Sequence, residues 1–281
     1  MLSILFGISS ALSWGAGDFA GGLSSRKIGA YRAVLYADFI GLIALLLVVA
    51  IVREEMPPLV SLLLAGLAGM LGSLGLLLLY YALAHGQMSI SAPVSALIAA
   101  ALPVGIGALT EGLPTPVQFG GFSLALTAIW FISQVDSSSR LHLDLLTDLR
   151  LPLLAGLGFG SYFVLMHYAT DKVTAIYWPM IASRVSGSLL ILVFVLWRRE
   201  SFAVPSNAWT VIFLNGFLDL GGNFFYILAL KAGRLDIAAI LSSLYPGATV
   251  TLAWLLLKEK ISRLQFIGIL FALGAIILLT V

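Results

Sequence analysis

Val135 to Arg150 reads VDSSSRLHLDLLTDLR, and it is the one sizeable polar interval in a chain of 281 residues. Outward from it in both directions run apolar stretches, each near the ~20 residues that a helix needs to cross the hydrocarbon of a bilayer. Cutting at charges, Pro and Gly gives segments 2–20, 30–52, 58–84, 87–110 and 114–134 before the interval. After it come 151–169, 174–197, 206–230, 234–257 and 261–281. The pattern predicts an all-α integral membrane protein of ten transmembrane helices. Residues 1–134 form a first five-helix repeat, 135–150 a polar linker, and 151–281 a second five-helix repeat.

Composition requires the bilayer as solvent. Hydrophobic residues make up 60% of the chain and charged ones 10%, against about 25% charged in a soluble domain. The mean hydropathy is +1.07. Net charge is +2, and Lys and Arg stand singly or in short clusters at segment ends. No basic stripe for nucleic acid exists. There is no cysteine, and His85, His142 and His167 are dispersed, so neither a metal site nor a cofactor is expected. The first charged residue is Asp18, so the N-terminus has no basic n-region, and Leu2 to Phe19 reads as a retained first helix.

The two halves resemble each other. A shift of 147 residues aligns Ala82, Leu83, Gly86, Ile90, Ala92, Ser95 and Leu97 with Ala229, Leu230, Gly233, Ile237, Ala239, Ser242 and Leu244. The same shift carries Gln118, Phe119, Gly121, Ala125, Leu126 and Ala128 onto Gln265, Phe266, Gly268, Ala272, Leu273 and Ala275. Near the start of each half, shifts of 146 to 149 work best, and Tyr31, Asp38 and Gly41 meet Tyr177, Arg184 and Gly187. An internal duplication explains this economically. Five spans is an odd number, so the second half enters from the opposite side and the repeats are inverted, a transporter signature. Nine Lys and Arg fall in loops 1–2, 3–4, 5–6, 7–8 and 9–10 (ten with Arg32), and four on the opposite side. By the positive-inside rule both termini lie outside.

An ionisable group within a transmembrane helix costs at least ~2.5 kcal/mol on insertion scales and is a functional candidate by default. Asp18, Asp38, Arg184 and Asp219 qualify. In segment 8, Asn215, Asp219, Asn223 and Tyr226 stack along one helical face. That face lines a pathway or forms a buried hydrogen-bond network. The aligned segment 3 carries Gly66, Gly69, Gly72 and Gly75, with Gly72 matching Asp219, a ridge suited to close helix packing. Segment 1 carries Ser10, Trp14 and Asp18 on one face, and Gly15 and Gly17 favour a bend there. Asp18 then belongs either to a pathway or to the headgroup region where the helix ends. Asp38 and Arg184 occupy matching positions, so a pseudo-two-fold axis brings them to one central cavity, as a static pair or as exchangeable partners. Pro93 and Pro103 in segment 4 and Pro246-Gly247 in segment 9 mark kinks, static or moving. Tyr177 and Trp178 suit an interfacial belt, and Glu111 and Glu259 suit turns.

Glu111…Gln118-Phe119-Gly120-Gly121 and Glu259…Gln265-Phe266-Ile267-Gly268 close the two halves, with Ser13-Trp14-Gly15 in segment 1 and Ala182-Ser183-Arg184 in segment 7. Over nearly the whole chain these resemble the EamA-type branch of the drug/metabolite transporter superfamily. Departures are Asp38, opposite Arg184 in the repeat, and Asp18, where many relatives are neutral. The resemblance implies a basket-like helical carrier with a central cavity between the repeats and with cytoplasmic termini, contrary to the loop count.

The expected function is non-ATP secondary transport of small metabolites, amino acids or related compounds among them, by alternating access in a multi-pass cell membrane, a bacterial inner membrane in particular. Protons exchanging at Asp18, Asp38 or Asp219 are the candidate coupling ions. A monomer suffices to form the cavity. A channel or passive facilitator and a non-transporting scaffold are the alternatives. No GxSxG, HExxH or P-loop is present, so enzymatic activity has no support.

Overall fold

The structure, a computed structural model, describes residues 1–85, 88–132, 150–258 and 262–280, with the backbone alone at 82–85, 88–94, 253, 276 and 280. The linker reading over 135–150 falls outside these residues except for Arg150, as does Glu259. No strand occurs among the described residues. The helices are α1 (Leu2–Ile28), α2 (Ala30–Val52), α3 (Leu59–His85), α4 (Met88–Thr110), α5 (Pro116–Ile132), α6 (Arg150–Thr170), α7 (Tyr177–Trp197), α8 (Trp209–Ala232), α9 (Leu235–Ser242), α10 (Tyr245–Leu257) and α11 (Arg263–Thr280).

Among the described residues six stretches are long and apolar enough to cross a membrane: α2, α3, α6, α7, α8 with the short 3-10 turn before it, and the run from α9 through α10. The described parts of α4, α5 and α11 are shorter apolar helices. At 1.5 Å per residue α1 is about 40 Å long. It is also less apolar, since Asp18, Arg26 and Lys27 lie within it.

Side-chain distribution is inside-out relative to a soluble protein. Leu47, Leu63, Leu189, Val193, Phe217 and Ile277 are exposed, while Ser10, Ser24, Asp38, Arg184 and Asn215 are buried. An apolar exterior facing acyl chains costs nothing, so cohesion must come from close packing and interhelical hydrogen bonds. Both are present where α1 crosses α8: Ser3 Oγ donates to Ala229 O (2.9 Å), Ser10 Oγ to Gly222 O (2.8 Å) and Ser13 Oγ to Leu218 O (2.7 Å).

The most extensive helix pairs all join one half of the chain to the other: α1 on α8, α3 on α6 and α7, α4 on α6, α5 on α11, α2 on α7 and α8, and α1 on α9 and α10. The glycine ridge of α3 explains part of this. A Cβ on Gly69 would lie 2.6 Å from Ser183 Cα in α7, and one on Gly75 would lie 2.9 Å from Ala155 O in α6. In α8, a Cβ on Gly216 would lie 3.1 Å from Ala37 O.

Two local expectations change. First, α1 continues eight residues past the predicted end at 20, and Gly15 and Gly17 do not break it. They are contact points instead: a Cβ on Gly15 would meet Thr249 N of α10 at 3.1 Å, and one on Gly17 would meet Asp219 N of α8 at 3.2 Å. Neighbouring helices supply the order that helix propensity withholds. Asp18 therefore sits inside the helix. Second, segment 9 is two helices, broken at Ser243 and Leu244. Pro246 lies in the first turn of α10, where its missing N–H is no loss, and Gly247 N–H bonds to Leu244 O at 3.0 Å. Its counterpart α4 runs unbroken through Pro93 and Pro103. Tyr177 and Trp178, expected in an interfacial belt, also engage protein. Tyr177 stacks on Phe224 (6.0 Å, 7°), and the Trp178 indole N–H donates to Glu54 O (2.9 Å).

Glu54 shows how a loop is fixed. Its carboxylate accepts the N–H groups of Ile176, Tyr177 and Trp178 at 2.7, 2.9 and 3.0 Å, which are free donors at the start of α7. Glu54→Ala is expected to lower stability by about 1–2 kcal/mol, read as a fall in the thermal midpoint of detergent-solubilised protein; an unchanged midpoint would mean water replaces the carboxylate.

Candidate functional site

The helices surround a partly open cavity of about 90 Å³ walled by α1, α2, α3, α6, α7, α8 and α10. Across its middle runs one continuous hydrogen-bonded network. The Ser73 hydroxyl of α3 donates to Asp38 Oδ2 of α2 (3.1 Å), and Arg184 of α7 donates from one terminal nitrogen to Asp38 and from the other to Asp219 of α8. Asn223, one turn beyond Asp219, donates to the Asp219 backbone O (2.6 Å) and to its carboxylate (3.3 Å). The Tyr162 hydroxyl of α6 donates to Asn223 Oδ1.

Burial grades along this network. The side chains of Asp38 and Arg184 are 4% and 8% exposed, whereas that of Asp219 is 19% exposed. Asp219 is therefore the member of the ion-pair group that meets the cavity most openly. A planar guanidinium suits the arrangement because its two outer nitrogens serve two carboxylates at a fixed angle.

Asp18 lines the same cavity but carries no hydrogen bond or ion pair among the described residues. Its electrostatic neighbours are Asp219, of like charge, and the phenols of Tyr80 and Tyr245. Trp14, one helical turn earlier, completes that wall. Toward the end of the molecule that carries residue 1, aromatic rings close the cavity: Trp14 lies 5.6 Å from Phe163 and 5.7 Å from Tyr226, and Phe163 lies 4.7 Å from Tyr226. The Tyr226 hydroxyl donates to Phe163 O at 3.0 Å.

Of the eight residues named from sequence, Trp14, Asp18, Asp38, Arg184, Asp219 and Asn223 meet in this one cavity. Asn215 and Tyr226 share their helix face but are buried off the cavity wall, at 1% and 0% exposure. Sequence reasoning missed Ser73, Phe159, Tyr162, Phe163 and Tyr245. Only Tyr162 had an indirect signal: Gly72, where α8 has Asp219, leaves room for a large residue, and the Tyr162 ring lies 3.0 Å from where its Cβ would be.

A second polar cluster lies beyond the aromatic layer. The Glu111 carboxylate accepts from Leu235 N–H (3.1 Å) at the start of α9 and lies 3.3 Å from His167 Nε2. Arg234 donates to Glu111 O (3.1 Å), Gly112 O (2.8 Å) and the Asp236 carboxylate (2.8 Å). Hydrogen bonding to Asp236 raises the pKa of the Arg234 guanidinium, partial burial opposing it. The turn role expected of Glu111 thus takes the form of a helix cap that ties α4, α6 and α9 together.

A solved crystal structure superposes on the chain with a TM-score of 0.79 at 15% identity, covering 99% of this chain and 96% of that one. The uncharacterized protein MJ1333.1 of Methanocaldococcus jannaschii is 28% identical over 124 residues, 44% of this chain and 88% of that protein. The EamA-like transporter family model matches residues 1–134 and again 149–281. With nearly the whole length so matched, this chain belongs to the EamA-like transporter family.

Proposed function

We propose that this membrane transporter is a secondary carrier of small metabolites, working by alternating access between two inverted five-helix repeats. The observation that carries the reading is the Asp38–Arg184–Asp219 group, held in a cavity where helices of both halves meet. Charges in that position must be paired while the cavity is closed, and a polar solute is what would re-pair them.

The inverted repeat draws support from the packing. Exchanging α1 with α6, α2 with α7, α3 with α8, α4 with α9–α10 and α5 with α11 turns the main helix contacts into one another. The Gly69 approach to Ser183 becomes that of Gly216 to Ala37. MJ1333.1, of about 140 residues since 124 make up 88% of it, has the length of one such half. Opening toward the residue-1 end means parting the Trp14–Phe163–Tyr226 rings and the Glu111–Arg234 cluster. Protons are the proposed coupling ions, with Asp18, Asp38 and Asp219 the groups able to exchange them.

Purified protein in sealed proteoliposomes tests this with labelled amino acids and amines, with and without a pH gradient. Saturable uptake and exchange of label against internal unlabelled solute are expected, lost in Asp219→Asn. Flux that neither saturates nor exchanges identifies a channel, and no flux points to a scaffold. If Asp18→Asn, Asp38→Asn and Asp219→Asn all keep the wild-type pH dependence, protons are not coupled.

A further inference from the structure

Resting on that carrier reading, the disposition of charge in the cavity says which class of solute it accepts. We infer that the cavity selects small organic ammonium ions, received by the Asp18 carboxylate beside Trp14 and Tyr245, rather than amino acids or organic acids.

Among the described residues three carboxylates, Asp18, Asp38 and Asp219, and one guanidinium, Arg184, line the cavity, and no Lys or His does. With all of them ionised the wall carries two more negative than positive charges, so a cation improves the balance and an anion worsens it. Hydrogen-bonding capacity points the same way. Both terminal nitrogens of Arg184 are taken by Asp38 and Asp219, the Asn223 amide by Asp219, and the Tyr162 hydroxyl by Asn223. A solute carboxylate would have to displace Asp38 or Asp219 from Arg184, stranding a buried anion. The charged group left over is an acceptor, Asp18, which lacks a partner among the described residues. An ammonium group supplies the donors it lacks.

The walls fit the same solute. Trp14, Phe159, Tyr162, Phe163 and Tyr245 present rings to the cavity, and aromatic faces attract cations through their quadrupoles, more so when water is excluded. A zwitterionic amino acid satisfies Asp18 but brings a carboxylate that meets no uncommitted cation among the described residues, the two outer nitrogens of Arg184 being held by Asp38 and Asp219.

The test holds an aromatic ring constant and varies charge: phenethylamine as cation, phenylalanine as zwitterion and phenylacetate as anion. Binding to purified full-length protein is measured by calorimetry, and flux of the same labelled compounds in proteoliposomes. Phenethylamine is expected to bind at least about tenfold more tightly than either other compound. Asp18→Asn should weaken it by about tenfold or more, as loss of a hydrogen bond to a charged group does. Asp18→Glu, which keeps the charge, should retain part of the affinity. Tighter binding of phenylalanine or phenylacetate overturns the inference. So does phenethylamine binding that is undiminished in Asp18→Asn, or no amine binding to wild-type protein that elutes as a single folded species. Binding without flux would instead overturn the carrier reading and leave the selectivity standing, while saturable phenylalanine flux indifferent to Asp18→Asn would do the reverse. Should Asp18→Asn fail to fold, Asp18→Glu and the three-compound ranking on wild type decide.

Discussion

Arg184→Ala is expected to lower stability by about 3–5 kcal/mol, the cost of leaving a buried charge without its partner, and to abolish transport. Two carboxylates lose their ion-pair partner at once: Asp38, at 4% exposure, and Asp219. Ser73 and Asn223 still donate to them, but neutral donors do not replace a cation. Arg184→Lys should recover only part of the loss, because a single ammonium cannot bridge both acids with the planar geometry of a guanidinium. Neutralising the acids in the same protein, with Asp38→Asn and Asp219→Asn, should restore most of the stability and none of the transport. That combination separates the charge from the volume of the side chain. The measurement is the thermal midpoint of the detergent-solubilised protein beside proteoliposome flux. If Arg184→Ala alone melts like wild type, the ion pairs are weak in the folded protein and the cavity is wetter than its burial indicates.

The second large effect is at Gly69. A methyl group there would sit 2.6 Å from Ser183 Cα, against backbone that has no rotamer with which to yield. Gly69→Ala should cost at the upper end of the about 1–3 kcal/mol typical of overpacking, and Gly69→Val should prevent folding. Since Ser183 precedes Arg184, any spreading of α3 from α7 also pulls the guanidinium away from Asp38, so transport should fall more steeply than stability. Gly216→Ala, at the matching place against Ala37 and Ile40, should behave alike but more mildly. Gly22 is the control: nothing lies within 4 Å of its Cβ position, and Gly22→Ala should be neutral or gain about 0.5–1 kcal/mol from helix propensity. Equal effects at Gly22 and Gly69 would show that backbone entropy, not packing, governs both.

Helix positions were legible from hydropathy because lipid enforces long apolar runs with few charges. The end of α1 was not, since Asp18 and the small residues after it look like a boundary until Tyr80, against Gly21, and α8, against Gly17, are seen to cover them. The break at Ser243 and Leu244 was legible only as a kink, because Pro246 marks a place where a helix can start as readily as one where it bends. The approach of Asp38 to Arg184 followed from the repeat alignment, a relation that the sequence does encode. Asp219 as the second acid on Arg184 did not, since nothing in the spacing of α7 and α8 tells which faces meet. Tyr245 carried no signal, and Tyr162 only the room that Gly72 leaves: a lone aromatic in an apolar helix looks the same whether it faces lipid, core or cavity.

The unlike pair of Gly72 and Asp219, with the matching contrast between unbroken α4 and the divided α9–α10, bears on the resting state of such a carrier. Two identical inverted halves would make the inward-open and outward-open forms superposable by a two-fold rotation in the membrane plane, and equal in free energy. Here one half presents a carboxylate where the other presents a gap filled by Tyr162, and one has a jointed helix where the other has a rod. In a carrier of the proposed kind this lifts the degeneracy, and the empty protein is expected to wait predominantly on one side of the membrane. A solute arriving from the disfavoured side meets only the small fraction of molecules open to it, and its apparent affinity is reduced by that fraction.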